Sequence, residues 1–148
     1  MKIRRADEDD LLTIHSIEKI CFSPIMAFPE QMLAVYLRHA TTLVAEAIGD
    51  QNEIKIIGFA MGFVKGEWGK TTTLDVHPHH RRKGAGNELM EALEKEFTSK
   101  GAKSSQLEVY EGNQAALTLY YKRGYQKANI LKNYYGNGKN AILMWKNI

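Results

Sequence analysis

Two hydrophobic periods divide the chain into alternating strands and helices. Apolar residues recur every three or four positions over residues 11–22, 29–38 and 86–99, and again between Asn113 and Gly124, which predicts four helices. Alternating or continuous apolar and β-branched residues predict strands over residues 1–6, 41–47, 54–64, 71–76 and 105–110, and a last hairpin from residues 125–135 and 139–145. A strand, a hairpin and then strand–helix alternation predict an α/β fold with a mixed central sheet.

Local signals mark where these elements begin and end. Asp7 precedes an acidic first turn and is a good N-cap, and Asn113 is placed to cap the fourth helix. Ser23-Pro24 ends the first helix, because proline disfavours helical backbone in the residue before it. The pair Asn137-Gly138 readily adopts positive φ, so it is expected in the turn of the last hairpin.

A basic, glycine-rich turn follows the strand at residues 71–76. Its sequence is RRKGAG, from Arg81 to Gly86, and a helix starts directly after it. The first N–H groups of a helix have no intrahelical partner, and glycine lets a ligand approach the backbone closely. Such a turn suits a phosphate or pyrophosphate. The alternative is a basic turn that only caps a surface helix.

Composition and charge narrow the class of protein. A length of 148 residues suits one domain spanning 1–148, and 44% hydrophobic with 25% charged residues is ordinary globular composition. The net charge of +3 is too small to indicate nucleic-acid binding. The single cysteine, Cys21, excludes an internal disulfide, and its apolar neighbours predict a buried thiol. No apolar run is long enough to span a membrane, so we expect a cytoplasmic protein.

A second motif supports a specific family. One predicted helix after the basic turn, the chain has the segment LEVYEGNQAALTLYYKRGY, from Leu107 to Tyr125. The two segments resemble the signatures of the GNAT superfamily of N-acetyltransferases, which bind acetyl-CoA. The chain is most similar to the subfamily that acetylates protein N-termini, including ribosomal-protein alanine N-acetyltransferases, which also shows the sequence Asn-Tyr-Tyr found at residues 133–135. The resemblance implies one splayed, mostly antiparallel mixed sheet of about seven strands with about four helices.

The resemblance also implies a set of site residues. Glu108 corresponds to a proposed base and Tyr120 to a proposed acid, while the N–H of Val76 would hold the oxyanion. The residues expected to contact acetyl-CoA are Leu74, Asp75, Val76, Arg81, Arg82, Lys83, Gly84, Ala85, Gly86, Asn87, Asn113 and Tyr120. The residues expected to contact the acceptor are Phe22, Pro24, Tyr134 and Tyr135. No metal is expected, although His77, His79 and His80 lie close together in sequence.

Simpler interpretations of these residues remain open at the level of sequence. Glu108 could be a solvated strand residue, Asn113 only a helix cap, and Tyr134 and Tyr135 hairpin packing. We expect acetyl transfer to a primary amine, the N-terminal α-amine of a protein or peptide, by a monomer or homodimer. The alternatives are a small-molecule amine acetyltransferase acting on a polyamine, amino acid or antibiotic, and a non-catalytic acetyl-CoA-binding module.

Overall fold

The computed structural model describes all 148 residues and contains a single sheet covered by helices on both faces. The elements in chain order are β1 Lys2–Arg5, α1 Leu11–Cys21, α2 Glu30–His39, β2 Thr41–Ile48, β3 Ile54–Lys65, β4 Trp68–Val76, α3 Ala85–Ser99, β5 Ser104–Tyr110, α4 Gln114–Lys122, β6 Gln126–Leu131 and β7 Ala141–Asn147. Single 3₁₀ turns at Glu8–Asp10 and Pro78–His80 precede α1 and α3. None of the helices combines the length and apolar composition needed to cross a bilayer.

The seven strands lie in the order β1-β2-β3-β4-β5-β7-β6. Only β4 and β5 are parallel, and every other neighbouring pair is antiparallel. The predicted mixed, mostly antiparallel sheet with four α-helices is therefore confirmed. The pairing of β4 with β5 starts at Trp68↔Ser104 and ends at Thr71↔Leu107, and beyond that point the two strands part. This gap in the middle of the sheet is the expected splay.

A β-bulge in β4 lies at the start of the gap. Gly62 of β3 pairs with Thr71 and Met61 pairs with Thr73, so Thr72 is an extra residue on β4. Alternate residues of a strand face opposite sides, and one extra residue reverses the alternation. Lys70 before the bulge and Thr73 after it consequently face the same side of the sheet, the side covered by α1 and α2.

Each face of the sheet has its own hydrophobic core. The face covered by α3 buries Leu43, Ala45, Ala60, Leu89, Leu93 and Phe97. The face covered by α1 and α2 buries Ile14, Ile17, Leu33, Val44, Phe59 and Met61. A third cluster joins α4 to β5 and β7 through Met90, Leu107, Val109, Leu117, Tyr120, Tyr125 and Met144. These cores fix both walls of the gap.

The structure corrects the prediction for the last hairpin. β6 ends at Leu131, so Tyr134 and Tyr135 lie in a long loop and not on a strand. Asn133 and Asn137 adopt φ of 56° and 50°, and such left-handed backbone ends strand pairing. The pair Asn137-Gly138 lies in this loop as predicted, but the loop begins directly after Leu131, whereas the predicted strand continued to residue 135. Cross-strand packing of the two tyrosines is therefore excluded.

Candidate active site

The gap between β4 and β5 opens into a cleft of about 860 Å³. Its walls come from four segments, namely the end of β4, the turn before α3, the start of α4 and the segment after α1. A smaller cavity of about 80 Å³ lies at the point where the strands part and contains Glu108 and Tyr120. Six residues line both volumes, namely Phe22, Met26, Leu74, Tyr110, Asn113 and Ala116.

The turn before α3 presents unpaired backbone N–H groups to the cleft. Arg82 and Gly84 adopt left-handed backbone, with φ of 66° and 89°, and no side chain caps the helix. Its first helical bond runs from Glu88 N–H to Gly84 O at 3.0 Å, so the preceding N–H groups lack an intrahelical acceptor. Gly84, Gly86 and Asn87 line the cleft. This arrangement can bind a phosphate or diphosphate.

The three basic side chains of this turn do not behave alike. Arg81 folds back, and its Nε donates to Val76 O at 2.9 Å while its Nη2 lies 3.4 Å from Cys21 Sγ. Arg82 lines the cleft, whereas Lys83 is exposed outside its wall. Of the three cations in this turn, Arg81 is therefore held in place, because the carbonyl of Val76 at the end of β4 is an acceptor within its reach.

The edge of β4 that faces β5 has free N–H groups. His77 N–H donates to Ile57 O of β3 at 2.8 Å, so strand alternation directs the N–H groups of Val76 and Leu74 toward the gap. Pairing with β5 has already ended at Thr71, and both residues line the cleft. Val76 N–H therefore has the orientation required to bind an oxyanion.

Glu108 lies at the gap on the face covered by α1. Its side chain is 15% exposed and forms an ion pair with Lys70, which is 18% exposed. Lys70 contacts Glu108 Oε1, so Oε2 is the oxygen left for another partner. Sequence analysis missed Lys70, because its contact with a residue 38 positions away depends on the β4–β5 register.

Tyr120 reaches the same cavity from α4. Its ring packs edge-on against Tyr125, with centroids 5.6 Å apart, and the residue is 6% exposed. Burial raises the pKa of the Tyr120 hydroxyl, which keeps it protonated and able to donate. The neighbouring Tyr121 is 51% exposed and lines neither cavity. Of the two adjacent tyrosines, only Tyr120 is placed to act beside Glu108.

Asn113 occupies the position of a helix cap and also lines the cleft. Its Oδ1 accepts a hydrogen bond from Ala116 N–H at 3.1 Å, as the simpler interpretation of this residue predicts. The side-chain NH₂ group is not used by the cap. Asn113 could therefore cap α4 and donate to a ligand at the same time.

Comparison with known proteins identifies the family. The sequence model of the acetyltransferase (GNAT) family matches residues 11–125. The chain belongs to the GNAT family. It is accordingly an acyltransferase that uses acetyl-CoA as its co-substrate to acetylate amines.

Several solved structures have the same fold as this chain. The ribosomal-protein-S18-alanine N-acetyltransferase from Escherichia coli is 26% identical with a TM-score of 0.86, covering 99% of this chain and 93% of that chain. Ard1 from Thermoplasma volcanium is 24% identical with a TM-score of 0.87, covering 99% and 97%. The putative acetyltransferase YncA from Salmonella typhimurium, solved with acetyl-CoA, is 21% identical with a TM-score of 0.79, covering 99% and 93%.

Aromatic and apolar side chains line the smaller cavity of the acetyltransferase. Phe22, Met26 and Phe28 from the segment after α1 and Tyr135 from the β6–β7 loop surround the smaller cavity. Tyr134 packs against Tyr135, with ring centroids 4.9 Å apart, but is itself 52% exposed. The structure thus brings Phe22 and Tyr135 to the same cavity, whereas Tyr134 and Pro24 are exposed and line neither cavity.

Cys21 and the three histidines have structural contacts in the acetyltransferase. Cys21 is half-buried and lines the cleft, so the prediction of a buried thiol was wrong. That prediction relied on apolar neighbours, but Ile20 beside it is itself exposed. Burial raises the pKa of Cys21 to about 11, which disfavours the nucleophilic thiolate. His77 Nδ1 accepts a hydrogen bond from His79 N–H at 3.2 Å and caps the 3₁₀ turn. No group of three or more potential metal ligands occurs in the structure.

Proposed function

We propose that this acetyltransferase transfers the acetyl group of acetyl-CoA to the N-terminal α-amine of a protein or peptide, by direct attack in a ternary complex. The observation that carries the proposal is the aromatic rim of Phe22, Phe28 and Tyr135 around the cavity of Glu108 and Tyr120. Such a rim suits the first side chain of a peptide. A polyamine would favour an exposed acidic pocket, but Glu108 is already ion-paired and Glu18, the other acidic residue there, is 1% exposed.

Acetyl-CoA would lie along the cleft with its diphosphate at the turn before α3. The N–H groups between Arg82 and Asn87 would bind the phosphate oxygens, assisted by the positive end of the α3 dipole. Leu74, Asp75 and Val76 would contribute the strand edge along which the coenzyme extends toward Glu108. Asn113 and Tyr120 would complete the far wall near the thioester.

Glu108 would take the proton of the attacking amine. A protein α-amine has a pKa near ~8, so only about a tenth is neutral at pH 7 and a base is needed. Lys70 holds Oε1 of Glu108, which leaves Oε2 to act directly or through a water. Val76 N–H would stabilise the oxyanion that forms on the acetyl carbonyl.

Tyr120 would protonate the departing thiolate of CoA. Its raised pKa keeps the proton on the hydroxyl, so this group can donate a hydrogen bond to the sulfur as the C–S bond breaks and negative charge develops there. The thiol of CoA has a pKa of roughly 8.5 when cysteine is taken as the reference, so protonation assists its departure.

Peptide turnover tests the choice of acceptor. A peptide library with varied first residues is compared with a panel of small amines, and release of CoA thiol is measured. We expect turnover with free-amine peptides, loss of turnover when the same peptide carries a blocked α-amine, and no effect of an internal lysine. Turnover with a small amine and with none of the peptides would contradict the proposal and favour a small-molecule acetyltransferase.

Two substitutions test the chemical roles, each beside a matched control. Glu108→Gln and Tyr120→Phe should each lower kcat by ~10- to 10⁴-fold and leave acetyl-CoA affinity nearly unchanged. Tyr121→Phe, one residue away and exposed, should have wild-type kcat, and so should Glu111→Gln in the exposed turn directly after β5. A Glu108→Gln/Tyr120→Phe double variant with unchanged turnover would refute both roles.

A further inference from the structure

Two carboxylates are buried against each other beside the cleft. Glu18, in the last turns of α1, and Asp75, on β4, are each 1% exposed. The hydroxyl of Thr73 lies between them, 2.6 Å from Asp75 Oδ1 and 3.2 Å from Glu18 Oε1. The bulge at Thr72 creates this contact, because it turns Thr73 and Asp75 toward α1.

The hydrogen-bonding groups around this pair require one shared proton. Thr73 has a single hydroxyl hydrogen for two carboxylate oxygens, and no lysine or arginine forms an ion pair with Glu18 or Asp75. The nearest guanidinium, Arg81, is directed to Val76 O and Cys21. Asp75 Oδ2 is buried without any partner, which is far less costly for a neutral acid than for a carboxylate.

The same contacts indicate which of the two carboxyl groups carries the shared proton. Burial and the charge of Glu18 raise the pKa of Asp75 well above its usual value, and burial raises the pKa of Glu18 as well. Glu18 accepts from Thr73 and from Phe28 N–H, whereas Asp75 has only Thr73 and Glu18 itself as side-chain partners. The consistent arrangement is a neutral Asp75 that donates to Thr73 Oγ1, which donates to an ionised Glu18.

This network ties down the acceptor-side segment between α1 and α2. At one end Phe28 N–H donates to Glu18 Oε2 at 2.9 Å, and at the other Cys21 Sγ lies 3.4 Å from Val76 O. Phe22 and Met26 lie between these two anchors and line the cavity of Glu108 and Tyr120. The segment itself has no regular secondary structure to hold it there.

We propose that Glu18 and Asp75 are positioning residues that share one proton through Thr73, hold residues 22–28 against β4, and thereby set the affinity for the acceptor. The acceptor part rests on the proposed function, in which this segment contacts the first residue of the substrate. Neither side chain touches the reacting atoms in this role. The network acts through the position of Phe22 and Phe28.

Hydrogen exchange tests the network without any substrate. Glu18→Gln leaves one side-chain oxygen for two donors, so we expect exchange of amides in residues 22–28, including Phe28 N–H, to rise by about tenfold or more. Asp75→Asn keeps a neutral donor and the single charge on Glu18, so protection should stay within about threefold of wild type. Asp75→Leu has a similar volume but no donor and should lose protection. Equal exchange in all four proteins would overturn the proposal.

Steady-state kinetics tests the consequence for the acceptor. Glu18→Gln should raise the KM for the acceptor about tenfold, with a smaller change in kcat and less than about a twofold change in the KM for acetyl-CoA. Glu91→Gln, on the exposed face of α3, controls for loss of one negative charge. An unchanged acceptor KM despite increased exchange would overturn the proposed effect on affinity. If no peptide is a substrate, the proposed function fails, while the exchange experiment still decides whether the network exists.

Discussion

A buried ion-pair network behind the turn before α3 offers a quantitative test. Arg123, at the end of α4, donates through Nη2 to Glu94 Oε2 at 2.6 Å and through Nη1 to Asn87 Oδ1 at 2.7 Å. The side chains of Arg123 and Glu94 are only 12% and 10% exposed. Arg123→Met removes the charge and the hydrogen bonds but keeps most of the apolar stem. It should weaken both the fold and the support of Asn87 in the first turn of α3.

The loss of stability in Arg123→Met depends on the hydrogen-bond and ion-pair partners that Glu94 keeps. Removing one partner of a buried ion pair costs about 3–5 kcal/mol when the other charge is left unpaired. Glu94 keeps Lys146 Nζ at 3.0 Å and the Tyr125 hydroxyl at 2.9 Å, so its charge is not left unpaired and we expect a smaller cost, about 2–3 kcal/mol. For a chain of roughly this size, about 2–4 °C of Tm is lost per kcal/mol. The expected fall in Tm is about 5–10 °C.

Thermal unfolding followed by circular dichroism measures this change, and an exposed pair supplies the control. Arg38 lies 3.3 Å from Glu8, with side chains 66% and 76% exposed, so Arg38→Met should leave Tm nearly unchanged. The KM for acetyl-CoA should also rise several-fold in Arg123→Met and stay constant in Arg38→Met. Equal Tm values for the two variants would refute the assignment of Arg123 as a buried structural charge.

Three further predictions concern the turn, the buried carboxylates and the acceptor rim. Gly84→Ala forces an L-residue to φ near 89°, so it should lower the free energy of unfolding by about 1–2 kcal/mol and raise the KM for acetyl-CoA. The control is Gly101→Ala, after α3 with φ of 93°, which should lower the free energy of unfolding equally but leave that KM unchanged. Because the pKa of Asp75 is raised, the native state keeps a proton that the unfolded chain loses near pH ~4. The free energy of unfolding should therefore fall as pH rises from about 4 toward the native pKa, by up to about 1.4 kcal/mol per pH unit. Asp75→Asn should lack this fall, so the Tm of the variant should rise relative to that of the wild type over the same pH range. A difference in Tm that does not change with pH would contradict the shared proton. Tyr135→Ala should raise the acceptor KM about tenfold while Tyr135→Phe should not, and equal defects would argue against an apolar contact.

Much of the fold was predictable because its signals are local. The apolar stripe of α1, the Asn113 cap and the glycine-rich turn before α3 each depend on residues within one or two helical turns of each other. Strand alternation is local in the same way, and it places Glu108 on the face of β5 opposite to Leu107 and Val109. The GNAT resemblance then implied that the strands form one splayed, mostly antiparallel mixed sheet, and the structure confirms that sheet.

The arrangement of the site was decided by contacts between distant parts of the chain. The bulge at Thr72, the meeting of Lys70 with Glu108, and the burial of Glu18 against Asp75 all depend on how β4 pairs with β3 and β5 and packs under α1. The sequence alone determined the helices, most strands and the glycine-rich turn before α3, since backbone periodicity and capping act over a few residues. Strand register and helix docking are set by the packing of the whole sheet, and one extra residue in β4 reverses which side chains share a face.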